Sequence, residues 1–205
     1  MAKKSTRNTR GRIVSAAWKL FYEQGYEDTT VEEIIELSGT SKGSFYHYFD
    51  GKDALLSTLS SLFDEKYEEL TGLLTPEMTA MEQLLFLNRE LFHMIEDSIS
   101  LDLLARLYST QLTTNGEKHL LDHNRIYYKL LRKIIAKGQS EGQLSSRSNV
   151  NEMVKLYALC ERALLYDWCL CAGGYALTEY SAKVLPGFLS SFLPLFNRTF
   201  ILLSV

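Results

Sequence analysis

The chain has 205 residues, of which 46% are apolar and 23% charged, and it contains only three prolines and 12 glycines. This length supports a full hydrophobic core together with a smaller domain, and the scarcity of turn-forming residues excludes a turn-rich all-β architecture in favour of a mostly helical fold. The net charge of −3 excludes a polycation, so an anionic partner would have to be met by a local basic patch.

The N-terminal segment is such a patch. Its basic residues, which have no acidic residue among them, are Lys3, Lys4, Arg7, Arg10 and Arg12. A basic arm over residues 1–10 indicates an anionic partner, most often nucleic acid, although a solvated flexible tail fits the charge equally well. No apolar segment of a secretory signal follows, and no charge-free apolar run reaches the roughly 18 residues of a membrane span. We therefore expect a cytoplasmic protein with no membrane contact.

Three short helical patterns follow the arm. Residues 13–21 repeat apolar side chains at helical spacing, and residues 28–39, DTTVEEIIELSG, form a second pattern that Thr29 or Thr30 can cap. Residues 41–49, SKGSFYHYF, begin a third after a glycine-containing turn. A helix, a tight turn and another helix within about twenty residues predict a helix-turn-helix.

The third pattern places aromatic rings on both of its faces. Ser41 is the predicted N-cap, and its hydroxyl can accept from the amide of Gly43 or Ser44 while the first-turn amides stay available to an anion. Phe45 and Phe49 are four residues apart and share the inner face, which assigns them to the core.

The outer face is predicted to meet DNA, because the N-terminal residues of the second helix point toward base edges in a helix-turn-helix. Lys42 can reach a guanine edge or a phosphate, and Gly43 allows the backbone to approach DNA closely. Tyr46, His47 and Tyr48 offer flat contacts to thymine methyls, sugars and phosphates, and Lys52 can lie against a phosphate. The alternative for Tyr46 and Tyr48 is that they only cover the core.

Residues 13–56, IVSAAWKLFYEQGYEDTTVEEIIELSGTSKGSFYHYFDGKDALL, closely resemble the TetR family of bacterial transcriptional repressors. The matching elements are the Gly-Tyr turn, the Thr-Thr-Val-x-x-Ile helix start, the Ser-Gly-x-Ser-Lys-Gly turn and the Tyr-x-Tyr-Phe-x-x-Lys close. The order His47-Tyr48 departs from the tyrosine-histidine order of many relatives. The positions that commonly contact DNA in the family are Thr30, Ser41, Lys42, Gly43, Tyr46, His47, Tyr48 and Lys52.

The resemblance implies an all-α protein with a helix-turn-helix DNA-binding domain over residues 1–52. It implies a helical regulatory and dimerisation domain over residues 53–205. The expected function is a sequence-specific repressor that binds a pseudo-palindromic operator in double-stranded DNA as a homodimer and is released by a small-molecule inducer. The alternative is a family member that activates transcription or binds DNA without an inducer.

The second half of the chain carries further helical patterns. Asp50 and Asp53 predict a capped helix toward Gly72, and Thr75-Pro76-Glu77 predicts the start of a helix that runs to about Asp97. Shorter patterns cover residues 99–113 and 117–140. By analogy with the family, an inducer pocket would lie among these helices, and the aromatic residues available to line it are Phe86, Phe92, Tyr108, Tyr127 and Tyr128. Core packing accounts for each of them equally well.

The last third is strongly apolar. Residues 153–171 carry apolar side chains on nearly every face of one helix, and residues 184–197 carry no charge. We expect a homodimer through two helices, about 150–172 and 178–198, that form a four-helix bundle with their copies, although internal core helices would also fit. Pro186 and Pro194 should kink or interrupt the final helix.

A few other residues are candidates for ligand binding or metal binding. Asp167, if buried, needs a partner such as Arg162, or it could serve as a counter-charge for a cationic ligand. His119 and His123 have metal-ligand spacing on a helix but no supporting ligand nearby, and the cysteines Cys160, Cys169 and Cys171 lack zinc spacing. We therefore predict no metal site, no cofactor and no catalytic residues.

Overall fold

The computed structural model describes residues 2–113 and 118–194, with side chains described from residue 9 onward. Every regular element in these ranges is helical, which confirms the predicted all-α fold. The helices are α1 (Ala2–Gln24), α2 (Val31–Ser38), α3 (Lys42–Tyr48), α4 (Lys52–Leu56), α5 (Leu59–Thr71), α6 (Ala80–Ser98), α7 (Leu101–Thr113), α8 (Ile126–Ser140), α9 (Val150–Leu170) and α10 (Leu177–Leu189). Two short 3₁₀ turns lie at His119–Leu121 and Ser190–Phe192.

The chain divides into two compact units, neither of which is continuous in sequence. The head unit consists of residues 1–62 and 100–120, and the body unit of residues 63–99 and 121–205. The predicted domain boundary at residue 52 falls at the start of α4, inside the head unit.

In the head unit, α1 packs against α2, α3 and α4, and α7 packs against α4. The fully buried side chains of this core include Ile13, Ala17, Ile34, Phe45 and Leu55. The segment predicted to be a basic arm forms the first turns of α1.

In the body unit, α6 packs against α8 and α10, and α9 packs against the same two helices. Its fully buried side chains include Leu84, Leu87, Phe92, Ile95, Leu131, Ile135, Tyr157 and Leu185. None of the helices in the described ranges is long and apolar enough to cross a membrane.

Two predicted helix starts are wrong because another residue provides the cap. The hydroxyl of Thr79 accepts from the amide of Glu82 at 3.2 Å, and the Glu82 carboxylate accepts from the amide of Thr79 at 2.7 Å. This capping box starts α6 at Ala80, and the turn at Pro76 precedes it. Asp50 does not cap α4, whose N-cap is Gly51 and has no side-chain hydrogen bond, and the Asp53 carboxylate accepts from the Tyr26 hydroxyl rather than completing a capping box.

Other boundaries also differ from the sequence patterns. The helix predicted to run to Gly72 is two helices, α4 and α5, and the 117–140 pattern becomes a 3₁₀ turn followed by α8. His119 lies in that turn and His123 precedes α8, so they share no helical face. Pro186 lies inside α10, which continues to Leu189, and the predicted residues 195–198 of the last helix fall outside the described ranges.

Candidate nucleic-acid interface

The turn between α2 and α3 is fixed at both helix ends. Thr30 caps α2 in a capping box with Glu33, so the Thr30 side chain is held at the surface by this carboxylate. Gly39 ends α2 in the left-handed region at φ 59°, which favours glycine, and its amide donates to the Glu36 carbonyl at 3.0 Å. Arg12 of α1 donates to the Gly39 carbonyl at 3.4 Å.

The start of α3 has the predicted cap. The Ser41 hydroxyl accepts from the Ser44 amide at 3.1 Å, and the two hydroxyl oxygens lie 2.9 Å apart. Phe45 is fully buried and Phe49 is 5% exposed, as the four-residue spacing predicts for the inner face. These two rings lie 5.9 Å apart and fix the rotation of α3.

The outer face of α3 is open to solvent. Tyr46 is 47% exposed, His47 is exposed and Tyr48 is half-buried. The Lys42 side chain is 69% exposed and lies 3.5 Å from Glu32, a distance and exposure at which an ion pair contributes little. The Lys42 ammonium is therefore available to a stronger anion.

Gly43 is exposed in the first turn of α3, and nothing in the protein requires a glycine there. A Cβ built at this position would meet only the Ser41 Oγ, at 4.0 Å. Glycine is also unfavourable in a helix by about 1 kcal/mol relative to alanine. The described head unit therefore leaves room for a side chain at position 43, and the close approach of DNA to this backbone stays a prediction.

Lys52 has a different position from the one expected. Its ammonium donates to the carbonyls of Tyr26 at 2.7 Å, of Glu27 at 3.0 Å and of Thr29 at 3.0 Å. These three bonds use every proton of the ammonium. Lys52 therefore ties the α1–α2 turn to α4, while its contact with a phosphate stays a prediction.

Tyr26 is the centre of this junction, and sequence reasoning did not identify its partners. The Lys52 Nζ and the Arg106 Cζ lie 4.5 and 4.9 Å from its ring centre. Burial raises the pKa of Tyr26, and the hydrogen bond to Asp53 raises it further. Arg106 of α7 also pairs with Glu27 at 2.5 Å. No sequence signal links residue 106 to residue 26, because their contact depends on tertiary packing.

A cavity of about 680 Å³ lies in the body unit between α6 and α10. Of the residues proposed for an inducer pocket, Phe86 lines it. Phe92, Tyr127 and Tyr128 are buried in the core of the body unit, and Tyr108 is half-buried in α7.

Asp167 is exposed, and its carboxylate accepts from the Tyr175 hydroxyl at 2.9 Å. Arg162 donates to the Tyr128 hydroxyl instead, at 3.2 Å. The buried carboxylate of α9 is Glu161, which accepts from the Tyr127 hydroxyl at 2.6 Å and from the Asn88 amide at 2.9 Å. Burial raises the pKa of Glu161. In residues 2–113 and 118–194, no three acidic, histidine or cysteine side chains come together as a possible metal site.

Residues 13–59 match the family described as "Bacterial regulatory proteins, tetR family". Over 68 residues the chain is 34% identical to the HTH-type transcriptional regulator TtgR of Pseudomonas putida, a match that covers 33% of this chain and 32% of that protein. Over 62 residues it is 36% identical to the HTH-type transcriptional regulator QacR of Staphylococcus aureus, covering 30% and 33%. Both matches span about a third of the relatives' lengths.

Solved structures extend the likeness beyond the head. The FadR repressor of Thermus thermophilus, solved in complex with lauroyl-CoA, is 25% identical with a TM-score of 0.69, covering 90% of this chain and 95% of that one. A regulator of the same family from Pectobacterium atrosepticum is 17% identical with a TM-score of 0.72, covering 94% and 98%, and shows likeness of fold alone. These matches confirm the resemblance inferred from residues 13–56.

Proposed function

We propose that this chain, a member of the TetR family of bacterial transcriptional regulators, is a repressor that binds a pseudo-palindromic DNA operator as a homodimer and is released by a small molecule. One observation carries the proposal. The inner face of α3 is fixed in the core by Phe45 and Phe49, while its outer face presents Lys42, Gly43 and Tyr46 to solvent. A recognition helix in the major groove needs this division between a packed face and a reading face.

The contacts have separate roles in the proposal. Lys42 reads a guanine edge or binds a phosphate, and Gly43 lets the backbone approach the groove. Tyr46 and His47 contact bases or sugars, and the Tyr48 ring meets the His47 ring edge to face, with 4.8 Å between the ring centres. Thr30, Ser41 and Ser44 lie at the N-termini of α2 and α3, where amides and hydroxyls favour phosphate oxygens. Most of these contacts position the protein, and two or three specify the sequence.

An exposed apolar stripe on α9 supports the homodimer. Leu159, Tyr166 and Leu170 are 52%, 46% and 66% exposed, and their spacing of seven and four residues places them on one side of the helix. Tyr180 of α10 is also largely exposed. A second copy of the same two helices would bury these side chains, and two-fold symmetry matches a pseudo-palindromic site.

The small-molecule step is a population shift. A dimer reads two half-sites when its recognition helices lie about 34 Å apart, one turn of DNA. A ligand that binds the body and favours a different spacing lowers the affinity for the operator by its difference in affinity for the two states. The cavity in the body unit supports this step, as does the family relationship to a repressor solved with a bound small molecule.

The test is selection of DNA fragments from a genomic library by the purified full-length protein. The wild type should enrich a pseudo-palindrome, bind it with an affinity that falls steeply with salt, and lower transcription from a promoter that contains it. The double variant Lys42→Ala/Tyr46→Ala should lose at least about tenfold in affinity for that site. The control is Lys19→Ala/Tyr22→Ala, which removes the same two side-chain types from exposed positions on α1.

The control variant should bind like the wild type. If the Lys42→Ala/Tyr46→Ala variant is folded by circular dichroism and still binds the site with unchanged affinity, α3 does not read DNA and the proposal fails. If transcription rises when the protein is added, the protein is an activator.

A further inference from the structure

The groove between α6 and α10 in the body unit has one apolar wall. Leu85 and Phe86 contribute to it from α6, and Ala182 and Pro186 from α10. Its volume of about 680 Å³ lies within the range of sites that bind small organic molecules. The apolar body of such a molecule can lie along this wall, and the polar groups beside it determine which head group is accepted.

The first polar group is the hydroxyl of Thr178, which lines the groove. It donates to the Glu96 carboxylate at 2.5 Å, and the same carboxylate accepts from the amides of Leu177 at 2.6 Å and Thr178 at 2.9 Å. Because a hydroxyl has a single proton, only the lone pairs of the Thr178 oxygen remain for a ligand. The two amides at the start of α10 are also already used, so they offer nothing to an anion.

The second polar group is the hydroxyl of Ser181, one turn further along α10. It donates to the Asn88 Oδ1 at 2.5 Å, and the Asn88 Nδ2 donates to the Glu161 Oε1 at 2.9 Å. Glu161 can keep this acceptor in either protonation state, because a proton can reside on the other oxygen, beside Tyr127. Ser181 is only 1% exposed, so its oxygen belongs to this buried network and is not available to a ligand in the groove.

The third polar group is a backbone carbonyl of α10. Pro186 has no amide proton, so it cannot donate to the carbonyl of Ala182, four residues earlier. Both residues line the groove. This carbonyl lacks its usual α-helical donor on the side of the helix where the groove lies.

The charge around the groove also favours a ligand that is positively charged and donates hydrogen bonds. Glu77 and Glu82 line it, and hydrogen bonds from Thr75 to Glu77 and from Thr79 to Glu82 lower the pKa of each carboxyl, which keeps both ionised at neutral pH. Arg89 also lines the groove and lies over the Phe86 ring; its pair with Glu90 at 2.8 Å is exposed and contributes little, so two carboxylates and one guanidinium give the lining a net charge of −1. The groove therefore combines acceptors with negative charge.

We propose that this groove binds an amphipathic primary amine in its ammonium form. The ammonium would donate to the Thr178 oxygen, Glu77 and Glu82 would balance its charge, and its apolar part would lie against Phe86 and Pro186. As the site of the effector that releases DNA, the groove rests on the proposed function. As a binding site it stands by itself.

The direct test is isothermal titration calorimetry of the full-length protein with three eight-carbon probes: octylammonium, octyltrimethylammonium and octanoate. Octylammonium should bind at least about tenfold more tightly than octanoate, a difference that corresponds to one charge-assisted contact. Octyltrimethylammonium, which has the charge but no N–H donor, should fall between them. Equal or tighter binding of octanoate overturns the proposal. Equal binding of the two cations shows that the Thr178 hydroxyl does not accept an N–H of the ligand and overturns that contact.

Two variants test whether the probes bind in this groove. Glu77→Gln/Glu82→Gln removes the charge while glutamine at position 82 keeps the capping box, and octylammonium should bind about tenfold more weakly. Ala182→Phe, at an exposed position on the groove wall, should block all the probes. The control Glu68→Gln removes an exposed carboxylate from α5 and should leave binding unchanged. Wild-type affinity in both groove variants overturns the site.

The same probes are then added to the complex of the protein with its selected operator. If octylammonium binds in calorimetry and dissociates the DNA, the groove is an effector site. If it binds without dissociating the DNA, the groove is confirmed as an amine site and the release step at this site fails. If it does not bind while the protein still recognises its operator, this inference fails and the DNA-binding function stands.

Discussion

Gly138 of α8 should not tolerate a single added methyl group, although alanine is the better helix former. A Cβ built at this position would lie 2.6 Å from the Ala80 Cβ and 2.9 Å from both Cγ and Cδ1 of Leu144. Carbon atoms in contact are normally about 3.5–4.0 Å apart, so the Ala80 and Leu144 side chains would each have to move by roughly 1 Å.

Neither neighbour can move freely. The Ala80 amide donates to the Gln143 side chain at 2.7 Å, which holds the start of α6 against the end of α8. The amides of Gln143 and Leu144 both donate to the Gly138 carbonyl, at 2.8 and 3.0 Å. Overpacking of this kind costs about 1–3 kcal/mol, whereas alanine in a helix gains about 1 kcal/mol over glycine. Gly138→Ala should therefore lower the free energy of unfolding by up to about 2 kcal/mol.

The assay is urea denaturation followed by circular dichroism. The control is Gly11→Ala in α1, where a Cβ would meet nothing within 4 Å, so only the helix gain remains and stability should rise. Ala80→Gly added to Gly138→Ala removes the closest contact and should recover part of the loss, a non-additive result that separates the clash from a general effect of the methyl group. A Gly138→Ala variant that gains as much stability as Gly11→Ala would refute this packing, because the clash would then cost nothing.

Two further variants test Glu161, which the sequence did not single out, and Lys52, whose predicted role was a phosphate contact. Burial raises the pKa of Glu161 in the folded protein, so its contribution to stability should be complete below its unfolded pKa and should fall by up to about 1.4 kcal/mol per pH unit as pH rises from the unfolded pKa toward the folded one. Glu161→Gln should remove this slope in urea titrations between about pH 4.5 and 7.5, and an unchanged slope would contradict the assignment. Lys52→Met should destabilise the head unit, because three carbonyls lose their donor, while the folded variant keeps most of its operator affinity. A stable variant that loses operator affinity would return Lys52 to the phosphate contact.

The sequence predicted the helix-turn-helix well because its signals are local. The cap at Ser41 and the spacing of Phe45 and Phe49 depend on residues within one turn of each other, and the structure reproduces them. The predicted start of α6 is wrong because two possible start signals lie within four residues of each other. The helix begins at the capping box of Thr79 and not at Pro76.

The functional polar groups of the body could not be assigned from the sequence. Asp167 and Glu161 both follow apolar residues on α9, and six residues along a helix place them on different faces. Which carboxylate is buried depends on Asn88 and Tyr127, which come from α6 and α8. Lys52 was expected to be free for the same reason, since its three carbonyl partners lie more than twenty residues earlier in the chain.

The head unit is built from two separate segments of the chain, and this affects how its DNA specificity could be transferred to another protein. A chimera made by exchanging residues 1–62 would carry all of α3 but would leave α7 behind, and with it Arg106, which contacts both Tyr26 and Glu27. A host helix without an arginine at that position would remove the ion pair with Glu27 and the contact with the Tyr26 ring, and the α1–α2 turn would keep only its ties to α4 through Lys52 and Asp53. The transferable cassette is therefore two segments, residues 1–62 and 100–120, and a designer who grafts the first must rebuild the second.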